Sequence, residues 1–472
     1  AGETGSRLVN LSFSYLLAWQ AREIVLWAGG KESGAKWAAL LFLSTPLTYA
    51  ETSSLHIEAI WAVFIVAGIM AVARLISSMK IDEKSEIKLS GLMLGFAATA
   101  KAVTLSILPV FLLLLIYRWC YWISKRLALS IIIGVAIFMA IGAIPYVTAW
   151  FIAGNPVHPF FNEIFKSTYF PAINFDNKLF KSGVSWDLLY RLIFNSGRYL
   201  ESSVGASGFQ WLLLLPVTLV VLLLQWNRRG LLLFVFSMLS ISMIFHFQSY
   251  LRYIYPMLLV LTAVIGIVLS YAFEKGGNLK KAFLVLAIFT LVLNLLFFPS
   301  ATYSYRHLPF KILLSESARN QYVENRLPIR RAVRFVNYLN TEHAPVAFFS
   351  QPFSAGLNAD ALYPNWYNYS FKGKIDRATD AHQIADVLRE YRSSFILMDE
   401  TWGSSEKRRI INEATDKIVK IGSISIRVLG DKYFFGKELL DNPELSGNKG
   451  WSLSKGENIT DDDSLLVSVS SP

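Results

Sequence analysis

The sequence is poor in charge and in cysteine, and each shortage narrows what the chain can be. Only 17% of its 472 residues are charged, against about 25% in ordinary soluble domains. The deficit is local, because charged residues fall mostly after position 299 or in short clusters between apolar runs. The single cysteine, Cys120, lies within an apolar run, so no intramolecular disulfide can form. An extracytoplasmic domain without disulfides points to a bacterial or archaeal chain. The chain opens at Ala1 without Met and without the basic-then-apolar pattern of a signal peptide. It stops at Pro472 just after a strand-like run, so both ends read as cut. No internal repeat is visible. The region after Phe298 shows no metal-ligand cluster, Gly-rich phosphate loop or nucleophile elbow.

What the sequence has instead is apolar length, with 54% hydrophobic and 14% aromatic residues. A helix crosses the hydrocarbon core with roughly 20 apolar residues. Candidate spans are Arg7–Ala28, Trp37–Ala50, Glu58–Ser77, Leu89–Val103 and Leu105–Trp122. Leu127–Ala153, Gln210–Trp226, Gly230–Phe247, Arg252–Ala272 and Lys281–Phe298 follow. The expected fold is mainly α, a polytopic transmembrane bundle crossing about ten times. Its boundaries are read as 1–298 for the membrane domain, 299–430 for a small α/β domain and 431–472 for the start of a β-sandwich.

The net charge of +11 does not mark a nucleic-acid binder, because the lysines and arginines sit at the ends of apolar runs. Alternate loops hold Lys31 and Lys36; Lys80, Lys84 and Lys88; Lys125 and Arg126; Arg228 and Arg229; and Lys275, Lys280 and Lys281. The intervening loop Glu51–Ile57 has no lysine or arginine. Basic loops stay in the cytoplasm, so Glu51–Ile57, residues 154–209 and everything after Phe298 are expected outside. The expected location is a bacterial inner membrane with the C-terminal domain extracytoplasmic. The outer loop 154–209 is long enough to be functional, and Trp186–Leu200 reads as an amphipathic helix lying along the interface.

After Phe298 the periods become those of a soluble α/β layer. Helices are expected at Ile329–Asn340, Ala381–Tyr391 and Glu406–Ala414. Strands are expected at Val346–Ser350 and Ser394–Asp399, with one or two in Lys417–Leu429. From Gly436 the residues turn to Asn, Ser, Gly and Asp. Leu439-Leu440-Asp441-Asn442-Pro443 and Gly450-Trp451-Ser452 resemble the opening of a carbohydrate-binding sandwich, expected to be poorly ordered as a fragment.

Ionisable residues in apolar runs are costly and therefore informative. Glu51 and Glu58 flank the short outer loop, Lys101 lies near the outer end of one run, and Arg252 opens another. A lone charge there reads as an interfacial anchor; two acids and two bases on one side read as a site. Those types suit transfer of a sugar from a lipid phosphate to a hydroxyl. A carboxylate takes the acceptor's proton, and Lys and Arg stabilise the departing phosphate. Two carboxylates also suit a divalent cation, Mg or Mn, doing the same. His158, between prolines, either orders its loop or contacts phosphate or sugar. His56, if helical, would not share a face with Glu58, which argues against a metal pair. Asn10, Asn368 and Asn458 match glycosylation sequons by pattern. Trp366 and Trp402 read as cover for the small domain.

The runs Gly5-Ser6-Arg7-Leu8-Val9-Asn10 and Ser44-Thr45-Pro46-Leu47 through Glu51 to His56-Ile57-Glu58 resemble the GT-C superfamily of polytopic glycosyltransferases. The resemblance is to its protein-mannosyltransferase-like and lipid-A-aminoarabinose-transferase-like branch. Gly91-Leu92-Met93-Leu94-Gly95 with Ala100-Lys101, Gly154-Asn155-Pro156-Val157-His158-Pro159-Phe160, and Tyr250-Leu251-Arg252-Tyr253 with Pro256 fit the same pattern. The resemblance covers about residues 5 to 430 and rests on loose patterns. It implies an enzyme that takes sugar from a polyprenyl-phosphate carrier with inversion. The acceptor would be a glycan, lipid or protein in contact with the membrane. Glu58 matches the family's second acidic position, and Lys101 a lysine near the lipid phosphate. The principal acid, normally Asp in the first outer loop, is expected upstream of Ala1, which would leave this fragment inactive. The site set is thus Glu58 and Glu51 as catalytic, with Lys101, His158, Arg252 and Tyr253 binding substrate. A transporter or flippase of lipid-linked sugars, or a non-catalytic membrane sugar sensor, is the alternative.

Overall fold

The apolar runs fold as helices, since a backbone away from water must satisfy its own hydrogen bonds. The computed structural model describes residues 2–76, 82–117, 127–176, 179–301, 311–365, 368–429, 452–455 and 467–470. Cys120, Trp366 and Asn458 lie outside the described residues, as does most of the sandwich-like tail. The chain forms two compact units, Ala1–Ile152 with Phe175–His307, and Ala153–Asn174 with Leu308–Pro472.

The first unit is a helical bundle around Tyr255–Lys275. That helix is buried on nearly all sides, from Tyr255 through Ser270, as a helix apolar all round should be. Small residues let a neighbour approach closely. A Cβ on Gly34, in the helix Glu32–Ser44, would meet the Gly266 carbonyl oxygen at 2.2 Å. Ser270 Oγ accepts from the Lys31 N–H at 3.0 Å. Three polar side chains inside the bundle are linked to one another. Gln210 Nε2 donates to Thr45 Oγ1 at 2.9 Å, Asn294 Nδ2 donates to Gln210 Oε1 at 3.0 Å, and Asn294 Oδ1 accepts from the Phe209 N–H at 2.9 Å.

Fewer helices are full spans than the apolar runs lead one to expect. Among the described residues, Glu58–Ile76, Arg228–Phe247, Leu251–Lys275 and Gly277–Leu296 are long and apolar enough to cross a membrane. Ala128–Gly142 and Ile144–Ala153 form a fifth only as a pair bent by 43°. The expected span Trp37–Ala50 breaks at Thr45, which is extended, and restarts at Pro46; proline is suited to a first helical position and not to an interior. Leu89–Val103 is the apolar end of Glu83–Ala100, whose first turns carry Glu83 and Glu86. All of Arg7–Ala28 but its last residue lies in one 26-residue helix, Gly2–Trp27. With its long helices, the chain is an integral membrane protein. The bent pair presents the side chains that lipid would cover, with Leu129 68%, Ile132 64% and Phe151 82% exposed. The expected interfacial helix is shorter than Trp186–Leu200, running Leu188–Phe194 and then a 3₁₀ turn, Ser196–Arg198.

The second unit holds a seven-stranded sheet. Its strands are β1 (Val346–Phe349), β2 (Ala361–Leu362), β3 (Phe395–Asp399), β4 (Thr415–Ile421), β5 (Ile424–Leu429), β6 (Ser452–Lys455) and β7 (Val467–Ser470), in the order β2-β1-β3-β5-β4-β7-β6. β1 is parallel to β2 and β3, and β5 is antiparallel to both β3 and β4. β4 and β5 turn through Gly422 at φ +60°, a conformation glycine adopts without cost. β7 runs parallel to β4 and pairs with β6 in an antiparallel hairpin. β1 and β3 are buried on both faces. Ile329, Val333 and Val336 of the helix Pro328–Leu339 pack with Phe348 and Leu397. Phe371, Ile384 and Ile410 pack with Phe349 and Met398 on the other side. The helices expected here are present, joined by others that the periodicity did not reveal, Glu316–Arg326 and Tyr369–Arg377 among them.

Candidate active site

Four segments of the bundle bring charge to one place. The helix Pro46–Ser53 carries Glu51 and ends at Ser54, which is extended. The turn after it is held by Asn10, whose Nδ2 donates to the Ser54 and His56 carbonyls at 2.8 and 2.9 Å. Asn10 is buried in this contact, so its sequon is a structural asparagine. The next helix starts at Glu58, where the free N–H groups and the helix dipole favour a carboxylate.

Glu58 accepts from Lys101 Nζ at 2.6 Å. Its side chain is 4% exposed and that of Lys101 16%, so this is a buried ion pair. Arg252 Nε lies 3.7 Å from the same Glu58 oxygen. Lys101 sits where the helix Glu83–Ala100 stops in an extended residue. The break is fixed by Thr104, whose hydroxyl donates to the Ala97 carbonyl and accepts from Trp61 Nε1, each at 2.8 Å. The ammonium also lies 4.4 Å from the Tyr253 ring centre and 5.4 Å from that of Trp61. Aromatic faces of this kind attract a cation. Arg252 stands in a 3₁₀ turn, Leu251–Ile254, just ahead of the central helix. Its Nη2 donates to the Tyr250 hydroxyl at 2.5 Å, and that hydroxyl donates to Glu201.

Glu51 is buried. One of its oxygens lies 3.2 Å from His56 Nδ1, and the other has no hydrogen-bond partner among the described residues. Glu51, His56 and Glu58 each offer a ligand atom, and these atoms lie within 4.8 Å of one another. The expectation that His56 could not share a metal site with Glu58 is therefore corrected. It rested on a helical His56, but the helix begins two residues later and the turn swings the imidazole towards both carboxylates.

Of the residues singled out in the sequence, the structure gathers Glu51, Glu58, Lys101, Arg252 and Tyr253. His158 belongs to the other unit. There its ring packs edge-on to Phe170 at 6.3 Å, and burial lowers its imidazole below the usual range. The surrounding loop is tied by Asn155 and Asn162, with Asn162 Nδ2 donating to the Ser167, Phe170 and Pro171 carbonyls. Asn368 caps its helix through the Phe371 N–H at 3.2 Å, and Trp402 packs edge-on to Phe349 at 5.0 Å. Trp61, Glu201 and the Tyr250 hydroxyl are the site residues that sequence reasoning missed, and His56 is one that it named and set aside. Only Tyr250 carried a signal, through its place beside Arg252.

Neither a protein-family model nor a curated protein matches the sequence. Among solved structures, the chain resembles ArnT from Cupriavidus metallidurans bound to undecaprenyl phosphate. The TM-score is 0.58 at 11% identity, over 90% of this chain and 85% of that one. It also resembles the arabinofuranosyltransferase AftD from Mycobacteria. There the TM-score is 0.51 at 10% identity, over 90% of this chain but 34% of that one. Identities this low speak for architecture alone. The chain has a GT-C-like fold, mainly helical with a small sheet region, as the resemblance in its sequence implies.

Proposed function

We propose that the chain is a membrane glycosyltransferase that moves a sugar from a polyprenyl-phosphate carrier to an extracytoplasmic hydroxyl or amine. The observation that carries this reading is the convergence of Lys101 and Arg252 on one buried carboxylate oxygen, at 2.6 and 3.7 Å. Two cations held together away from water form a receptor for a phosphate. The likeness to ArnT bound to undecaprenyl phosphate supports a lipid-linked one.

The acceptor's oxygen or nitrogen forms a bond to the anomeric carbon while the bond from that carbon to the phosphate oxygen breaks. The electron pair leaves with the phosphate, whose growing charge Lys101 and Arg252 stabilise. The acceptor's proton goes to a carboxylate. We assign that role to Glu51, and its oxygen free of hydrogen bonds among the described residues supports this. Glu58 orients the acceptor and balances the two cations. Tyr253 flanks the Lys101 ammonium, and His158 orders its own loop. Glu51, His56 and Glu58 are the residues that would hold a divalent cation, which would add charge screening for the phosphate when bound.

The test is binding of citronellyl phosphate, a short-chain polyprenyl-type monophosphate, to the purified chain. Saturable binding is expected, weakened about tenfold or more in Lys101→Ala and in Arg252→Ala, because a charge-assisted contact contributes roughly 1.5 to 3 kcal/mol. Unchanged affinity in both variants would remove the phosphate from this site and the reading with it.

A further inference from the structure

Arg252 reaches the site at the end of a chain of hydrogen bonds that starts outside the residues discussed as catalytic. Its Nη2 donates to the Tyr250 hydroxyl, and the same hydroxyl donates to Glu201 Oε2. The Tyr250 ring is held on two sides. Phe180 stacks on it with centroids 4.6 Å apart and planes at 17°, and Tyr253 meets it edge-on at 5.1 Å. The guanidinium also lies 4.5 Å from the Tyr250 ring centre. Its Nε has no hydrogen-bond partner among the described residues and stands 3.7 Å from the nearest Glu58 oxygen, beyond hydrogen-bond reach.

We propose that Glu201 is a positioning residue: through the Tyr250 hydroxyl it fixes the Arg252 guanidinium so that the Nε–H stays free for a lipid-phosphate oxygen. This deepens the function proposed above and rests on it for the identity of the phosphate.

The direction of the bonds is the argument. A phenol has one hydrogen to donate and lone pairs to accept with. With its hydrogen committed to the Glu201 carboxylate, the Tyr250 oxygen can turn only lone pairs towards Arg252. The carboxylate's charge also makes that oxygen a better acceptor, as in other polarised chains. Burial, and then the bond to Glu201, push the Tyr250 hydroxyl well above the usual tyrosine range, so the donor is retained. Without Glu201 the hydroxyl hydrogen is free to rotate and compete with the arginine N–H. An arginine has many rotamers to return to, and losing its anchor would let the guanidinium leave its fixed position and become more accessible.

The experiment measures phenylglyoxal modification of Arg252 by peptide mass spectrometry on the purified full chain, alongside affinity for citronellyl phosphate. Labelling should speed up about fivefold in Glu201→Ala and in Tyr250→Phe, the loss of one ordinary hydrogen bond. Glu201→Gln keeps an acceptor and the shape, so it should stay within about twofold of the original; Tyr250→Phe carries the test if the alanine variant does not fold. Affinity should fall about fivefold in Tyr250→Phe. The same change made on top of Arg252→Met should cost no more than about twofold further, since the two act as one unit. Unchanged labelling in Tyr250→Phe and Glu201→Ala would overturn the positioning role, and so would losses that simply multiply. Arg252→Met binding as tightly as the original would instead overturn the donor reading, while the labelling still decides the positioning.

Discussion

Glu58 balances two cations from a side chain that is almost wholly buried. Replacing it by Gln keeps the shape and removes the charge, which leaves Lys101 and Arg252 facing each other. Breaking a buried pair by deleting one partner costs about 3 to 5 kcal/mol, because the remaining charge stays desolvated. Glu58→Gln should therefore melt at a lower temperature than the original chain. An added phosphate would restore the missing negative charge, so citronellyl phosphate should raise Tm more in Glu58→Gln than in the original. In the full-length protein, turnover in a transfer assay should fall by about a hundredfold, the equivalent of roughly 2.7 kcal/mol. A variant with unaltered Tm and a ligand response no larger than the original's would mark Glu58 as an interfacial anchor. These site charges were legible in the sequence because they interrupt apolar runs. His56 was not, since its position depends on where the helix begins. Glu201 was not either: its tie to Tyr250 spans 49 positions and leaves no local pattern.

At the level of elements, the helices Glu83–Ala100 and Ala128–Gly142 touch backbone to backbone. A Cβ on Gly91 would lie 2.1 Å from the Gly134 carbonyl oxygen, whereas one on Gly142 would meet the Ala98 Cβ at 3.3 Å. The first contact cannot be relieved by a side-chain rotation and must push the helices apart. Overpacking of this kind costs about 1 to 3 kcal/mol. Gly91→Ala should therefore lower Tm clearly more than Gly142→Ala, with both measured in detergent. Equal losses would show that the pair tolerates separation. The glycines were visible in the sequence, but their partners were not, because close packing between helices has no signature within either one. The small domain was more legible. Helices such as Pro328–Leu339 and Ala381–Glu390 alternate buried and exposed residues, so their period carries through to the fold. The span count was less so, because hydropathy does not report breaks such as the extended Thr45 ahead of Pro46 or the bend between Ala128–Gly142 and Ile144–Ala153.

For the whole molecule, the distribution of basic residues decides which side of the membrane each part faces. Lys31 and Lys36 precede or open one helix, Arg228 and Arg229 another, and Lys275 and Lys280 lie at the facing ends of the last two long ones. Such loops resist translocation. Glu51 and Arg252 lie just beyond the opposite ends of Glu32–Ser44 and Arg228–Phe247, and Glu58 and Lys101 lie at ends of Glu58–Ile76 and Glu83–Ala100. The site and the residues after the last long helix, Gly277–Leu296, are accordingly expected outside. An outer placement also suits the chemistry, because a lipid-linked donor presents its phosphate at the membrane surface. A protease added to intact spheroplasts should remove the domain that contains β1 to β5, while epitope tags placed in the basic loops survive until the membrane is permeabilised. Exposed helices such as Glu316–Arg326, which buries none of its residues, offer the first points of attack. A small domain that stays intact in sealed spheroplasts and is cut only after permeabilisation would invert the topology, and would put the two cations on the side where Lys31 and Arg228 are now placed.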